Sequence, residues 1–554
     1  MNNLPLLLSV TLIFLLSLSA NNLQGQEETQ QDVSRLSGNF QSTASFFMPD
    51  SAIGAIGQPQ YDRQLYGADA WLQINYSNWG FDIGARFDLF NNSNLLNPNG
   101  SYTAQGIGRW YIKKQIDKLG LSVGYLYDQI GSGIIFRAYE VRGLAIDNAL
   151  YGARATYDLT ENWRLKAFTG LQKRQFGTYA AVIKGFSAEG FIQPKDENAK
   201  WSLAPGFGVV GRTFDDQTVN TVVNTIATYD VVDSIGARFN TYALTLYNTL
   251  TAGDFSWYVE GAYKTGEAYF DPFAVKTNRD STTSLGKLNF DDGSTLYTSL
   301  GYAGHGLGIN LEAKRTENFT FRVDPFQTGV QGFMNYLPAL TRINTNRLNA
   351  YYSAATQELG ELAYQADITY AFSRKLRFNV NVSHINNLEN ELLYREYYFE
   401  GFYKYKRKWT LSAGVQVQNY NQGIYEVKPG VPIIKTITPF AEFLYKFDRK
   451  KSIRVESQVM FTEQDFGNWL FGLVEFNIAP HWSFTVSEMY NFSPTSRTDG
   501  VALSYPRIDV FYTNGANRYS LSFVKQVQGI VCAGGVCRLE PSFSGVRLSV
   551  NSSF

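Results

Sequence analysis

The sequence predicts a large single antiparallel β-barrel that crosses a membrane, and three observations lead to this fold class. Many segments alternate apolar and polar residues, as in Phe81–Leu89, Leu376–Ser383 and Trp409–Gln418. Short turns alternate with long loops along the chain. The last segment, Gly545–Phe554, has apolar residues on one face, polar residues on the other, and ends on an aromatic residue. A period of two excludes a helix and is typical of strands that face lipid on one side and a lumen on the other.

The composition agrees with a barrel and excludes some other classes. The 554 residues are 15% aromatic and 18% charged, below the usual charged share of about 25%. A mean hydropathy of −0.22 is too polar for a helical membrane protein, whereas half of each barrel strand faces water. Lys plus Arg and Asp plus Glu both number 49, so the net charge gives no indication of a nucleic-acid partner.

The N-terminus predicts a secretory signal peptide over residues 1–25, followed by a single barrel domain over 26–554. Leu4–Ala20 is an apolar run, and cleavage is expected after Ala20 or Gly25. No Lys or Arg precedes the run, which departs from the usual pattern of a signal peptide. The alternative is a true membrane helix, but the run is short for one. An exported chain with membrane-type strands predicts the outer membrane of a Gram-negative cell, crossed many times.

The order of turns and loops predicts about 24 strands, with a range of 22 to 26, starting with a strand near 35–48. Short turns, such as Asn78–Gly80 and Asn514–Ala516, are expected in the periplasm. The long loops, expected outside the cell, are 49–64, 91–104, 131–147, 214–236, 265–293, 317–360, 420–432, 491–503 and 528–539. The little chain before the first strand disfavours a TonB-gated transporter with an N-terminal plug domain.

A soluble multi-domain β protein is the main alternative fold. Two dozen amphipathic strands would then need several sandwiches joined by linkers, and the sequence shows no such linkers. In lipid, by contrast, every backbone polar group must be paired, so the strands have to close on themselves.

The polar faces of the predicted strands supply candidates for the lumen. Both signs are interspersed, so we expect either a wall of charges that neutralise one another or a surface that a solute meets. The lumen-facing charged candidates are Arg35, Asp82, Arg86, Asp88, Arg154, Arg164, Arg377, Arg454, Glu456 and Arg547.

Two loops are candidates for narrowing a lumen of this size, because an empty barrel of about 24 strands would be a wide hole. The loop over 131–148 is unusually apolar, and the longest one, 317–360, is rich in aromatic residues. The alternative is that these loops pack outside the barrel or dock a partner. The constricting-loop candidates are Phe136, Arg137, Tyr139, Glu140, Arg142, Tyr336 and Arg342.

The residues that carry most chemistry are scarce. The three histidines, His305, His384 and His481, are far apart in the sequence, and no nucleophile can be placed beside them, so we expect no enzyme. We expect no metal and no cofactor. Cys532 and Cys537, four residues apart in an exported protein, predict a disulfide; free thiols or half of a metal site are the alternatives.

Several stretches resemble an uncharacterised outer-membrane β-barrel family of Bacteroidota, a family of unknown function. They are Leu36–Ser42, Tyr66–Trp71, Asn91–Pro98, Gly131–Asn148, Asn335–Arg342 and the Cys532–Arg538 motif with its closing strand. The resemblance covers most of the chain and implies an outer-membrane barrel. It implies no activity and no functional residue.

These observations predict a porin-like channel or transporter for an unknown solute or polymer, with a lumen narrowed by loops. The alternative is a structural or assembly barrel that docks surface lipoproteins or other envelope proteins through its long loops. The expected partners are outer-membrane lipid and, through the strand that ends at Phe554, the outer-membrane assembly machinery. No nucleic acid is expected.

Overall fold

A computed structural model describes residues 34–196, 200–327, 331–495, 500–533 and 536–554, with the backbone alone at 530–533 and 536–538. The predicted signal peptide lies outside the described residues. Twenty-four strands form one antiparallel sheet, which confirms the predicted count. In chain order, β1 to β24 are Arg35–Phe47, Tyr66–Asn78, Phe81–Ser93, Tyr102–Ile116, Leu119–Leu126, Leu150–Thr160, Trp163–Arg174, Gly177–Gly190, Trp201–Thr213, Asn240–Ala252, Phe255–Thr277, Thr283–Gly304, Leu307–Glu317, Gly360–Ala371, Leu376–Asn386, Leu392–Tyr405, Trp409–Tyr420, Ile434–Lys446, Lys451–Met460, Gly467–Ile478, Trp482–Pro494, Ser504–Asn514, Asn517–Gln526 and Phe543–Ser553.

The sheet closes on itself between its first and last strands. Each strand pairs with the next, and β1 pairs with β24 from Asn39 opposite Ser553 to Phe47 opposite Gly545. Beyond this ladder, the Gly38 amide donates to the Phe554 carbonyl at 2.8 Å, and the Phe554 amide donates back to Gly38 at 3.0 Å. The Phe554 ring covers Gly38 so closely that a Cβ there would lie 2.2 Å from the ring.

The two ends of the barrel differ. At one end, the turn end, most connections are tight, as at Trp79-Gly80 and His305-Gly306, where both residues have positive φ. The opposite end, the loop end, carries the long connections 48–65, 127–149, 214–239, 318–359 and 421–433.

The two faces of each strand differ as the alternation predicts. The outer face shows apolar side chains, including Phe87, Leu246, Val380, Val486 and Leu548, with exposed fractions of 37–62%. On the inner face of β3, by contrast, Arg86 and Asp88 are 2% and 3% exposed. A continuous apolar outer surface indicates that lipid surrounds the barrel, because exposing so large an apolar area to water is unfavourable.

The expected loop at 265–293 is wrong, because strands β11 and β12 run on through most of it. They have 23 and 22 residues and turn only at 278–282. Since about 9–11 residues of a strand cross a bilayer, this tall hairpin extends well beyond the barrel. Helix α1, Asp216–Ile226, is capped by Asp215 and packs Val222 and Ile226 against Ala268 and Leu288 of the hairpin.

The remaining elements are short. Helix α2 covers Gln422–Tyr425, and single helical turns lie at Ser51–Ile53, Gln60–Gln64, Arg142–Leu144 and Val231–Asp233. Small hairpins pair Asp128–Gln129 with Arg137–Ala138, Glu140–Val141 with Ile146–Asp147, and Gly529–Ala533 with Val536–Glu540. In the part of the chain that the structure describes, no helix has the length and hydropathy to cross a membrane.

Candidate functional site: the filled half of the lumen

The inner wall is buried towards the loop end and exposed towards the turn end. On β16, Tyr394, Glu396 and Tyr398 are 1%, 0% and 5% exposed, whereas Lys404, near the turn, is exposed. On β19, Met460 and Gln458 are buried, whereas the Arg454 side chain retains 27% exposure. Something therefore fills the loop-side half of the lumen and leaves the turn-side half open to water.

Two connections fill it, and we name them the first plug segment, 127–149, and the second plug segment, the described residues 318–327 and 331–359 of the connection between β13 and β14. They are joined by backbone hydrogen bonds, from the Arg137 amide to the Met334 carbonyl at 2.8 Å and from the Tyr336 amide to the Gly133 carbonyl at 2.9 Å. Both loops that the sequence singled out thus lie inside the barrel, and they touch each other there.

Apolar residues pack the first plug segment against the inner wall. Ile134 and Ile135 are fully buried, and Phe136 is 2% exposed. The Phe136 ring lies 4.5 Å from the ring of Phe168 on β7. This burial explains why a connection between two strands is so rich in isoleucine.

A buried group of charges holds the same segment to the wall. Arg86 on β3 donates to Asp88 beside it at 2.6 Å, and to Glu140 at 2.6 Å and Asp147 at 3.0 Å in the first plug segment. Lys173 on β7 also binds Asp147. A buried guanidinium needs this many acceptors, because an unpaired charge away from water costs several kcal/mol.

Asp147 is the acid shared by both cations. Burial alone would raise the pKa of Asp147, but Lys173 and Arg86 outweigh burial and hold that pKa below its ordinary value. The Tyr127 hydroxyl donates to Asp147 at 2.8 Å, and burial raises the pKa of Tyr127 well above its usual range, so that the phenol keeps its proton. Asp147 therefore carries its negative charge at neutral pH.

The other candidates in the first plug segment also face partners. Arg142 pairs with Glu140 at 3.2 Å and donates to Gln41 on β1 at 2.8 Å. Arg137 lies over the rings of Tyr139 and Tyr336, with its guanidinium carbon 4.8 Å and 4.2 Å from their centroids. These two arginines and two tyrosines thus make contacts within the plug segments or with the wall.

The second plug segment meets the opposite side of the wall mainly through aromatic rings. Tyr351 packs against Trp469, with centroids 5.9 Å apart, and Tyr352 packs against Tyr420 at 5.4 Å. Trp469 is fully buried, as is Leu348, with an exposed fraction of 1%. This region is a small hydrophobic core set inside a membrane barrel.

Neutral side-chain amides complete these contacts. Gln458 accepts from the Leu348 amide at 2.6 Å, Gln416 donates to the Asn349 carbonyl at 3.1 Å, and Gln418 donates to the Tyr352 carbonyl at 2.7 Å. The wall thereby satisfies backbone groups that a buried loop would otherwise leave unpaired.

Arg342 anchors the middle of the second plug segment. Its guanidinium lies 3.6 Å from Asp367 and 3.6 Å from Glu400, and 3.8 Å from the ring centroid of Tyr398. It also donates to Asn379 at 2.6 Å. Three strands of the wall, β14 to β16, therefore converge on this one plug residue.

The turn-side half of the lumen is lined by charge pairs that remain in contact with water. Arg454 donates to Glu442, Glu456 and Glu475 at 3.0–3.1 Å. Arg154 binds Asp128 at 2.9 Å. Self-neutralising pairs of this kind are what the mixed signs on the polar faces lead one to expect.

The remaining lumen candidates are spread around the barrel. Arg164 binds Asp158 at 2.6 Å, and Asp82 accepts from Ser77 at 2.6 Å. Arg377 lies 4.9 Å from the Phe402 ring, and Arg547 lies 4.5 Å from the Phe543 ring. Arg35 is exposed at the start of β1. The structure does not bring these residues together with Arg86.

Sequence reasoning missed several wall residues that hold the plug, namely Lys173, Gln416, Gln458, Trp469 and Tyr420. Each occupies an inner-face position of its strand. Trp469 and Tyr420 carried a signal, because an aromatic residue on the otherwise polar face of a strand indicates something apolar inside the lumen.

The structure also places the histidines and cysteines. His305 lies in the turn between β12 and β13, and the His481 ring bonds the Thr513 carbonyl at 2.8 Å. Cys532 and Cys537 face each other in register in their hairpin, but their side chains lie outside the described residues, so the disulfide stays a prediction. Among the described residues, no cluster of His, Cys, Asp and Glu could hold a metal ion.

The closed 24-stranded barrel with an apolar outer face defines an outer-membrane β-barrel protein. A family model described as a family of unknown function, DUF6029, matches residues 1–554, and the chain belongs to this family. The assignment to Bacteroidota stays a prediction. No curated protein matches the chain.

Solved structures resemble the chain only in architecture. The translocation pore of the P pilus usher PapC has 10% identity and a TM-score of 0.42, covering 94% of this chain and 99% of that one. A mutant of the ferric enterobactin receptor PfeA of Pseudomonas aeruginosa has 7% identity and a TM-score of 0.38, with 95% and 81% covered. OccK11 of the same organism has 11% identity and a TM-score of 0.32, with 96% and 99% covered.

Proposed function

We propose that the protein is an outer-membrane channel or transporter whose lumen is narrowed by two of its own loops. In this proposal the turn end faces the periplasm and the loop end faces the outside of the cell. The solute enters at the loop end, passes the plug segments, and leaves through the water-lined half. The observation that carries the proposal is the bonding of Arg86, on the wall, to Glu140 and Asp147 of the first plug segment.

The position of the charges supports a plug rather than a loop lying over the mouth. Arg86 is 2% exposed and sits in the middle of its strand, so its partners have to lie inside the barrel. Buried ion pairs are strong only when both partners stay in place. The loop and the wall therefore hold each other, and the plug opens only when these contacts are exchanged for others.

Planar-bilayer recording of the purified protein tests this proposal. The wild type is expected to show small or brief openings. Replacing 132–147 by a short Gly-Ser linker is expected to give a much larger and steadier conductance. The matched control deletes the hairpin tip, 272–281, which lies beyond the barrel, and is expected to conduct like the wild type.

A large and steady conductance of the wild type would contradict the narrowed lumen. Equal conductance of the wild type and the plug variant would also contradict it. This holds provided that the plug variant and the hairpin-tip control keep the heat-modifiable gel mobility of a closed barrel.

One feature favours a second function, the docking of surface lipoproteins or other envelope proteins. Val231 and Val232, on the helical turn beside the tall hairpin, are 89% and 79% exposed. Pull-down from detergent-solubilised membranes tests docking. A stoichiometric partner that is lost in the Val231→Ser, Val232→Ser variant would favour it, and the barrel alone would favour the channel.

A further inference from the structure

A cavity of about 400 Å³ lies on the loop side of the first plug segment, between that segment and the wall. Its volume falls in the usual range for small-molecule sites, about 300–1,000 Å³. The aromatic residues that line it are Trp71, Phe90, Tyr102, Phe176 and Tyr179.

The rings form a continuous wall. Phe90 is central, with its ring centroid 6.0 Å from Trp71, 5.6 Å from Tyr102 and 6.0 Å from Phe176. Neighbouring rings meet at interplanar angles of 59–84°, so the wall is apolar but not flat, and a ligand would stack on single rings.

The charges that line the cavity leave an excess of one cation, since Arg86, Arg142, Lys173 and Arg174 stand against Asp88, Glu140 and Asp147. Arg86 and Lys173 are already paired with Asp147, and Arg142 is paired with Glu140. A ligand with a large net charge would therefore compete with existing pairs, whereas a neutral ligand with many hydrogen-bonding groups would not.

Gln172 ties the wall of the cavity to the second plug segment. It lines the cavity, is 2% exposed, and donates its side-chain amide to the Phe333 carbonyl. This bond holds the wall and the second plug segment together beside the cavity.

We propose that this cavity binds a neutral sugar of about disaccharide size. A sugar ring has an apolar face that can stack on the aromatic wall. Its hydroxyls both donate and accept, which suits a rim of amides and paired charges. The assignment rests on the proposed function, since it names the class of solute that this lumen would take from outside the cell.

A second cavity lies on the other side of the first plug segment and has the opposite character. Its volume is about 290 Å³, and it is lined by Asp128, Arg154, Thr156, Arg164, Lys166, Ser187 and Glu189, without an aromatic residue. A sugar that passes the segment would thus leave an apolar stacking wall for a charged, water-filled vestibule. This asymmetry favours binding on the loop side and release on the turn side.

Isothermal titration calorimetry on the detergent-purified full chain tests the site, with maltose, cellobiose and lactose as probes. At least one sugar is expected to bind the wild type. Trp71→Ala is expected to weaken that binding roughly tenfold or more. Trp79→Ala, at the opposite turn end and 72% exposed, is the matched control and is expected to change it less than twofold.

Phe176→Ala guards against misfolding of the Trp71 variant, because Phe176 lies in the two-residue turn between β7 and β8. It is expected to weaken binding several-fold. No binding of any of the three sugars to the wild type would overturn the assignment, and so would binding that neither variant weakens. The bilayer test is independent: sugar binding without plug-dependent conductance would overturn only the channel, and the reverse result only the sugar site.

Discussion

Both plug segments are held to the inner wall of the barrel, but the contacts that hold them differ in kind. The first, 127–149, is held to the wall by buried ion pairs around Arg86 and Lys173. The second is held over 348–352 by the rings of Trp469 and Tyr420 and by neutral amides. An ion-paired contact depends on every partner keeping its charge, whereas an aromatic contact depends on buried area. The contact around Arg86 should therefore respond to changes of charge, and the contact over 348–352 to changes of volume.

Removing Arg86 should have the largest effect and should act on the first segment alone. Arg86→Ala leaves Asp88, Glu140 and Asp147 buried with one cation fewer, and breaking a buried pair costs about 3–5 kcal/mol. Hydrogen exchange measured by mass spectrometry should show lost protection over 137–148.

Arg164→Ala is the matched control for that variant, because its pair with Asp158 is largely exposed and is worth at most about 1 kcal/mol. Unchanged protection over 137–148 in Arg86→Ala would show that the charges do not hold the segment.

Removing Trp469 should have the next largest effect and should act on the second segment. Trp469→Ala leaves a cavity beside Tyr351. Replacing a buried tryptophan by alanine lowers the free energy of unfolding by about 3–5 kcal/mol, and by less where neighbouring side chains relax into the cavity. Protection of the Leu348 amide should fall while 137–148 stays protected. Trp482→Ala, which removes an exposed tryptophan, is the control. Loss of protection in both segments would mean that they form one cooperative unit.

Acidification should separate the two segments without a mutation. The folded-state pKa of Asp147 is lowered, so its contribution is complete above the ordinary value of about 3.9 and is lost as the pH falls through the lower folded value. Protection factors over 137–148 should hold from pH 7 down to about 3.9 and fall as the pH is lowered further, while that of the Leu348 amide holds. An equal fall in both would contradict the distinction.

The smallest expected effect comes from one hydroxyl. Tyr352 donates to Asp465 at 2.8 Å, and Tyr352→Phe removes that bond but keeps the ring against Tyr420. The loss should be about 1.5–3 kcal/mol, the usual range for a hydrogen bond to a charged group, and still below that of Trp469→Ala. Hydrogen exchange over 346–352, measured at increasing urea concentrations, gives this loss of free energy. A loss as large as that of Trp469→Ala would show that polar contacts, not rings, hold the second segment.

The barrel could be predicted from the sequence because alternation is a local property. Phe81–Leu89 reveals its two faces without knowledge of any other strand, and repeating this reading gave the count of 24 strands. The tall hairpin was misread as a loop because β11 and β12 leave the membrane, where no lipid requires an apolar face. Their polar residues then resemble a loop, although the two strands stay paired.

The plug could be predicted only in part. The apolar residues around Phe136 and the aromatic residues around Tyr351 marked the two loops as unusual. Their wall partners could not be named, because Arg86 meets Glu140 across 54 residues and Leu348 meets Gln458 across 110. Such pairs depend on how far each loop descends into the lumen, and a single sequence does not contain that distance.

The seam at Gly38 and Phe554 has a consequence for biogenesis. The seam pairs Asn39 with Ser553, which lie 514 positions apart in the sequence. Closing the sheet is therefore a highly non-local event, and pairings of this kind form slowly because the loop entropy has to be overcome first. Until the seam forms, β1 and β24 present two unpaired strand edges that are open to mispairing.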